Sequence, residues 1–206
     1  NEPDPETEFE VLKKIARSSG RPIVFTCTQR HDRPHFWKDL MRMSLEAKKE
    51  GLSIRPVVPP RPIGLLFGLD GSQNPFSGTK TYKSIAHLPL NERVIEMKKD
   101  DIKEKILSED RLKYSVFPLI HRISFAQMYR FGSPPDYNPS KDKSIDAMAS
   151  RENKTSKELA YDILLENQGK NFIYAPLVNY SNNTFDVCHE MLKLSLIHIS
   201  EPTRQL

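Results

Sequence analysis

Two histidines, His31 and His35, stand four residues apart, the spacing at which a helix presents two metal ligands on one face. Pro34 lies between them and interrupts the continuous helix that such a pair needs, so they read as loop histidines. The chain has no HxH, HExxH or CxxC, and His87, His121 and His189 are isolated. It also lacks a Gly-x-Ser-x-Gly elbow, which leaves two thiols as nucleophiles. Cys27 falls in an apolar stretch and Cys188 on a helix face, both places for a small core residue. Gly68-Leu-Asp-Gly-Ser72 lacks the Lys and third Gly of a nucleotide loop, and its Asp70-Gly71 pair reads as a turn. Gln29 and Arg61 remain. Gln29 falls at the C-terminal end of one expected strand and Arg61 just past the next, the end at which parallel α/β folds carry their sites. A guanidinium there can hold a carboxylate through a two-pronged hydrogen bond; alternatively, Arg61 ties down the long segment that follows it. Both are candidate substrate-binding residues, while no catalytic residue and no metal ligand can be named.

The elements that must position them follow from periodicity. Residues 5–18 place Phe9, Leu12, Ile15 and Ala16 at helical spacing, with acids early and bases late, and Gly20 is a natural stop. Residues 21–28, rich in β-branched and aromatic types, predict a strand. Residues 35–49 predict a helix with Phe36, Leu40, Met43 and Ala47 on one face, ended by Gly51. Residues 52–58 predict the next strand. Strand, helix, strand in this order is a βαβ unit, which belongs to a parallel sheet with helices outside. From Pro59 to Pro139 the pattern breaks up, and nine of the sixteen prolines lie there. Short helices are expected at residues 82–87 and 90–108, within an insertion long enough to be a lid or side module. Regularity then returns. A helix is expected at 157–167 with Leu159, Ile163 and Leu164 inward, a strand or buried segment at 172–178, and a helix at 183–192 bearing Phe185, Cys188 and Leu192. The domain plan is thus barrel-type βα units at 1–58, an insertion of the same domain at 59–139, and further βα units at 140–193.

Composition narrows the function classes. The chain has 206 residues, 37% hydrophobic and 28% charged, which suits a folded soluble domain and argues against wholesale disorder. A net charge of +4 is a weak field for this length. Arg122, Arg130 and Arg151 are dispersed among Phe125, Tyr129 and Phe131 without a stacking motif, so no nucleic acid is expected as partner. The longest apolar run, Ile63-Gly-Leu-Leu-Phe-Gly-Leu69, is far short of the roughly 20 residues of a membrane span. No membrane partner is expected. Two cysteines make no disulfide framework and suggest a reducing, cytoplasmic setting.

Several segments carry a resemblance over roughly residues 1–193. They are Gly20-Arg-Pro-Ile-Val-Phe-Thr26, Arg61-Pro-Ile-Gly-Leu-Leu-Phe-Gly-Leu69 with Asn74-Pro-Phe76, Ile85-Ala-His-Leu-Pro-Leu90 with Glu92-Arg-Val94, Ser133-Pro-Pro-Asp-Tyr137, and Glu158-Leu-Ala-Tyr-Asp-Ile-Leu-Leu-Glu166 leading to Asn179-Tyr180. In these the chain resembles the N-acyl-D-amino-acid deacylases (D-aminoacylase-like proteins) of the amidohydrolase family. The resemblance implies α/β architecture, specifically the C-terminal part of a metal-dependent eight-stranded β/α barrel with a Pro-rich insertion. It implies hydrolysis of the amide of N-acyl-D-amino acids, a small-molecule substrate. It also implies zinc as cofactor, with an HxH pair and a Cys expected before Asn1, two His on middle strands and an Asp expected just after Leu192. Zinc ligands would therefore lie outside this chain, and Cys27 does not match the family's ligand Cys. At the end of the strand over 22–28, where family members carry a His ligand, this chain has Thr28-Gln29. A barrel that keeps the fold without the hydrolysis, serving in binding or assembly, is the alternative implied by that departure. Oligomeric state is not legible.

Residues 194–204, Leu-Ser-Leu-Ile-His-Ile-Ser-Glu-Pro-Thr-Arg, resemble the codon-by-codon translation of a sequencing-library adapter strand. Ser195, His198 and Glu201 are accordingly not read as chemistry. The natural protein is expected to run past residue 193, and the isolated chain is expected to aggregate, or to be molten, and to show no zinc-dependent hydrolysis.

Overall fold

The computed structural model describes residues 5–111 and 123–194. The tail at 195–206 with Ser195, His198 and Glu201, and the segment holding His121 and Arg122, lie outside the described residues. Eight α-helices and two small sheets are present among the described residues, a mixed α/β architecture. No closed barrel forms among them. The chain divides into two compact units, residues 1–63 with 177–206, and residues 64–176.

The first unit contains α1 (Pro5–Ser19), β1 (Ile23–Thr26), α2 (Phe36–Lys49) and β2 (Ile54–Val57), in the expected order. β1 and β2 pair in parallel with Ile23 opposite Ile54 and Thr26 opposite Val57, so the βαβ unit is real, with shorter strands than the sequence suggests. Phe9, Ala16, Met43, Ala47 and Ile54 form one core cluster. Cys27, Trp37, Met41 and Val58 form another together with Val187, Cys188 and Met191 of the helix Asp186–Leu194. α2 is thus apolar on two flanks. Trp37 and Met41 serve one cluster and Met43 and Ala47 the other, and the half-buried Leu40 packs against both. Glu50, at the end of α2, takes Lys13 and Arg17 of α1 at 2.6 Å each. These contacts hold the Glu50 carboxyl below its ordinary range, Lys13 contributing most.

The second unit contains β3 (Ile63–Gly68, of which Ile63 counts with the first unit), α3 (Lys80–Ile85), α4 (Leu90–Met97), α5 (Asp100–Ser108), β4 (Tyr129–Phe131), α6 (Ile145–Arg151), α7 (Ser156–Gly169) and β5 (Phe172–Val178, of which Leu177 and Val178 count with the first unit). The last helix, α8, is Asp186–Leu194 of the first unit. The sheet order is β3-β5-β4, with β4 antiparallel to β5. The single helix expected at 90–108 is two. α4 ends at Met97 with Lys98 as its C-cap, α5 begins after the extended Lys99, and Asp100 and Asp101 occupy its first turn, where the helix dipole favours acids. The apolar run beginning at Ile63 is strand β3, and Tyr129–Phe131 is a strand not anticipated. α7 begins with a capping box: Thr155 accepts from the Glu158 N–H, and the Glu158 carboxylate accepts from the Thr155 N–H at 2.8 Å. Its interior side chains Leu159, Ala160, Tyr161, Ile163 and Leu164 are all buried, so it is wrapped on more than one side. Gly64 and Gly68 of β3 are required by close approach. A Cβ at Gly64 would stand 2.5 Å from the Tyr174 ring, and one at Gly68 would stand 2.6 Å from the Phe172 ring.

Candidate functional site

β1 alternates with period two. Ile23, Phe25, Cys27 and Gln29 face the core, while Val24, Thr26 and Arg30 are exposed and Thr28 is half-buried. The alternation continues past Thr26, and Gln29, three residues beyond the end of β1, is 2% exposed. Its backbone is paired by Asn179, the residue after β5. The Gln29 N–H donates to Asn179 Oδ1 at 2.7 Å, and the Asn179 N–H donates to the Gln29 carbonyl at 2.9 Å. The Gln29 side chain is committed as well: Nε2 donates to the Pro34 carbonyl at 3.3 Å, and Oε1 accepts from the Ser181 N–H at 3.0 Å. Arg30 forms an antiparallel bridge with Val178 beside this latch. Asn179 is fully buried and adopts a left-handed backbone at φ +63°, a conformation Asn tolerates better than most residues. Its Nδ2 has no hydrogen-bond partner.

Gln29 thus orders the carboxyl end of β1 rather than presenting a free amide. Arg61 lies four residues past β2 and is exposed, and no hydrogen bond or ion pair joins it to the Gln29 latch. His31 is half-buried and His35 exposed, in keeping with loop histidines. Arg30 grips Asp32 with Nε at 2.9 Å and Nη2 at 2.5 Å, and this bond holds the Asp32 carboxyl below its usual range.

The thiols are not nucleophiles in this state. Burial pushes Cys27 up to about 12 and Cys188 up to about 11. Each sulfur points at a carbonyl, Cys27 at that of Trp37 at 4.0 Å and Cys188 at that of Asn179 at 3.9 Å. A thiolate is what binds zinc or attacks a carbonyl, and both sites oppose its formation. Among the described residues no group of three His, Cys, Asp or Glu could hold a metal ion. The zinc ligands implied by the resemblance are expected outside this chain, and none of the described side chains is assigned to that metal.

The second unit holds two polar clusters that sequence reasoning did not single out. Arg93 donates to the carbonyls of Leu69 at 2.7 Å and Leu88 at 2.8 Å and to the Tyr82 hydroxyl at 3.2 Å, tying the end of β3 to the start of α4. Asp162 takes Lys103 at 2.8 Å and Lys154 at 3.1 Å. Burial pushes its carboxyl up, but these two bonds prevail and hold it below the ordinary range. Both clusters join backbone to backbone or helix to helix, and neither opens onto a set of reactive groups. Their signal in the sequence is slight, since the partners lie up to 59 residues apart. No helix among the described residues is long and apolar enough to cross a membrane. No family model, no curated protein and no solved structure matches this chain.

Proposed function

We propose that this chain is the substrate-facing part of an amidohydrolase-like α/β enzyme that hydrolyses the amide bond of N-acyl-D-amino acids. The observation that supports this reading is the parallel β1–α2–β2 unit, with Gln29 fixing the carboxyl end of β1 and Arg61 following β2. In parallel α/β folds that end carries ligands. Gln29 acts as a positioning residue, because both ends of its amide hold the chain. Arg61 is the binding residue, its exposed guanidinium offering a two-pronged grip on a substrate carboxylate.

The test is a titration of the chain with N-acetyl-D-methionine, followed by backbone NMR. Saturable shifts at residues flanking Arg61, reduced about tenfold in affinity by Arg61→Gln, are the expected outcome, since a charge-assisted bond contributes about 1.5–3 kcal/mol. Absence of saturable shifts from a folded chain overturns the reading. A second reading, a barrel relative that binds or assembles without hydrolysis, draws support from Gln29, whose amide is wholly engaged by the protein. Stoichiometric zinc together with release of a free D-amino acid by the parent protein would exclude it.

A further inference from the structure

Asp70 is the one Asp or Asn of the chain that precedes a glycine; every other is followed by a residue that carries a side chain. The pair sits in the turn that ends β3. The Gly71 N–H closes that turn on the Gly68 carbonyl at 3.3 Å, and the Gly68 N–H donates to the Gln73 carbonyl at 3.2 Å. Asp70, Gly71 and Ser72 are all exposed. Among the described residues no hydrogen bond or ion pair engages the Asp70 carboxyl.

Nothing in the backbone asks for glycine at position 71. The glycines with positive φ are Gly20, Gly51 and Gly169. A Cβ at Gly71 would meet nothing closer than the Gly68 carbonyl oxygen at 3.5 Å, an ordinary contact, in contrast to the collisions at Gly64 and Gly68. What the missing side chain does change is access to the Gly71 nitrogen. The peptide nitrogen after an aspartate can close a five-membered ring on that residue's own carboxyl carbon. Closure needs a carboxyl free of partners, room about the nitrogen and a backbone free to rotate. The exposed Asp70 supplies the first, and Gly71 supplies the other two. The bond that closes the turn is long for an N–H···O contact and so is readily given up.

We infer that Asp70 converts spontaneously to isoaspartate through a succinimide formed with Gly71. The Gly71 nitrogen bonds to the Asp70 Cγ, and the carboxyl hydroxyl departs with the amide proton as water. Water then adds at the backbone carbonyl carbon of Asp70 and breaks its bond to the Gly71 nitrogen. The main chain thereafter runs through Cβ and Cγ of residue 70, one methylene longer, and leaves a free α-carboxylate. No reactant beyond water takes part. The lengthened link adjoins Leu69, whose carbonyl accepts from Arg93 Nη1 at 2.7 Å, so the product disturbs the tie between the end of β3 and α4. The α-carboxylate is the group that an isoaspartyl carboxyl methyltransferase esterifies, which makes the aged chain a substrate for that class of enzyme. The inference rests on this turn alone and stands apart from the proposed activity.

The test ages the full chain, with its core amides protected, at physiological temperature and neutral pH, beside the same chain in urea. Gly71→Ala and Asp70→Asn are aged in parallel. Isoaspartate is read by methylation with an isoaspartyl methyltransferase and located by peptide mapping. The expected result for the folded chain is accumulation in the Asp70 peptide, at least about tenfold slower in Gly71→Ala, where a Cβ crowds the nitrogen and limits rotation. Asp70→Asn, which expels ammonia in place of water, should reach the same succinimide faster. Isoaspartate in urea but not in the folded chain overturns the inference, because the turn then holds the nitrogen off the carboxyl. That comparison is made on the unaltered chain and needs no variant to fold. Equal rates in the parent and a folded Gly71→Ala overturn it too, as does accumulation at other aspartates in place of Asp70.

Discussion

Replacing Gln29 by Leu is the sharpest probe of how β1 is held. The substitution keeps approximate volume and apolar packing but removes Nε2 and Oε1. The Pro34 carbonyl then loses a donor and the Ser181 N–H loses an acceptor. Both partner residues are half-buried, so water reaches them in part and the full penalty of a stranded group does not apply. At about 0.5–1.5 kcal/mol for each net hydrogen bond, the loss is about 1–3 kcal/mol. The backbone exchange between Gln29 and Asn179 persists, so the latch loosens without opening. For a chain of this size the change corresponds to a fall in midpoint of about 2–12 °C. Urea denaturation gives the magnitude, and amide exchange gives the location. Ser181 should exchange faster, while Ile23, paired on β2, should not. An unfolding free energy within about 0.3 kcal/mol of the original, with Ser181 exchange unchanged, would refute the claim that the side chain of Gln29 orders this strand end.

Three further outcomes follow from the geometry. Gly169→Ala should cost at least about 1–3 kcal/mol in chemical denaturation, because the residue sits at φ +82° and a Cβ would stand 2.6 Å from Val94 Cγ2. Cys27 is held protonated by burial, with its ordinary value near 9 raised to about 12. Its contribution to stability is complete below pH 9 and is lost as pH rises toward 12, so stability should fall over that window and fall less in Cys27→Ala; native alkylation should be slow and become fast in urea. Asp162→Asn should cost less than about 1 kcal/mol, since Lys103, Lys154 and Asp162 are each about a third exposed or more. The depressed carboxyl makes that contribution one that is present at neutral pH and lost as pH falls through its folded value, and acid titration of the two forms should converge.

The first unit was legible in its sequence because its elements are local. Runs such as Arg21-Pro-Ile-Val-Phe-Thr26 and the stop at Gly51 carry their own periodicity and punctuation, and the parallel pairing of β1 with β2 followed from them. What closes the end of β1 was not legible, because Gln29 and Asn179 are 150 residues apart and no local pattern announces their exchange. In the Pro-rich stretch the strands β3 and β4 are short and lack alternation, so an apolar run and a three-residue strand gave no periodic signal. The break between α4 and α5 did leave one: Lys98-Lys99 before Asp100-Asp101 places bases at a helix end and acids at a helix start. Apolar faces were also drawn too narrow. A helix serving two clusters, as α2 does through Trp37 and Met43, carries two stripes, and a single-stripe template selects neither cleanly.

The two glycines of β3 have a consequence for how that sheet can go wrong. Gly64 and Gly68 form notches four residues apart, and the rings of Tyr174 and Phe172 on β5 seat in them like teeth in a key. Sliding β3 by two residues would bring Leu66 under one ring and Asp70 under the other, and neither has a notch to offer. The pairing is therefore vernier-like, with one position at which both teeth engage. A strand with the apolar surface of Ile63-Gly-Leu-Leu-Phe67 would otherwise have several near-equivalent alignments to choose from while folding. The absence of two side chains, rather than the presence of any, selects among them.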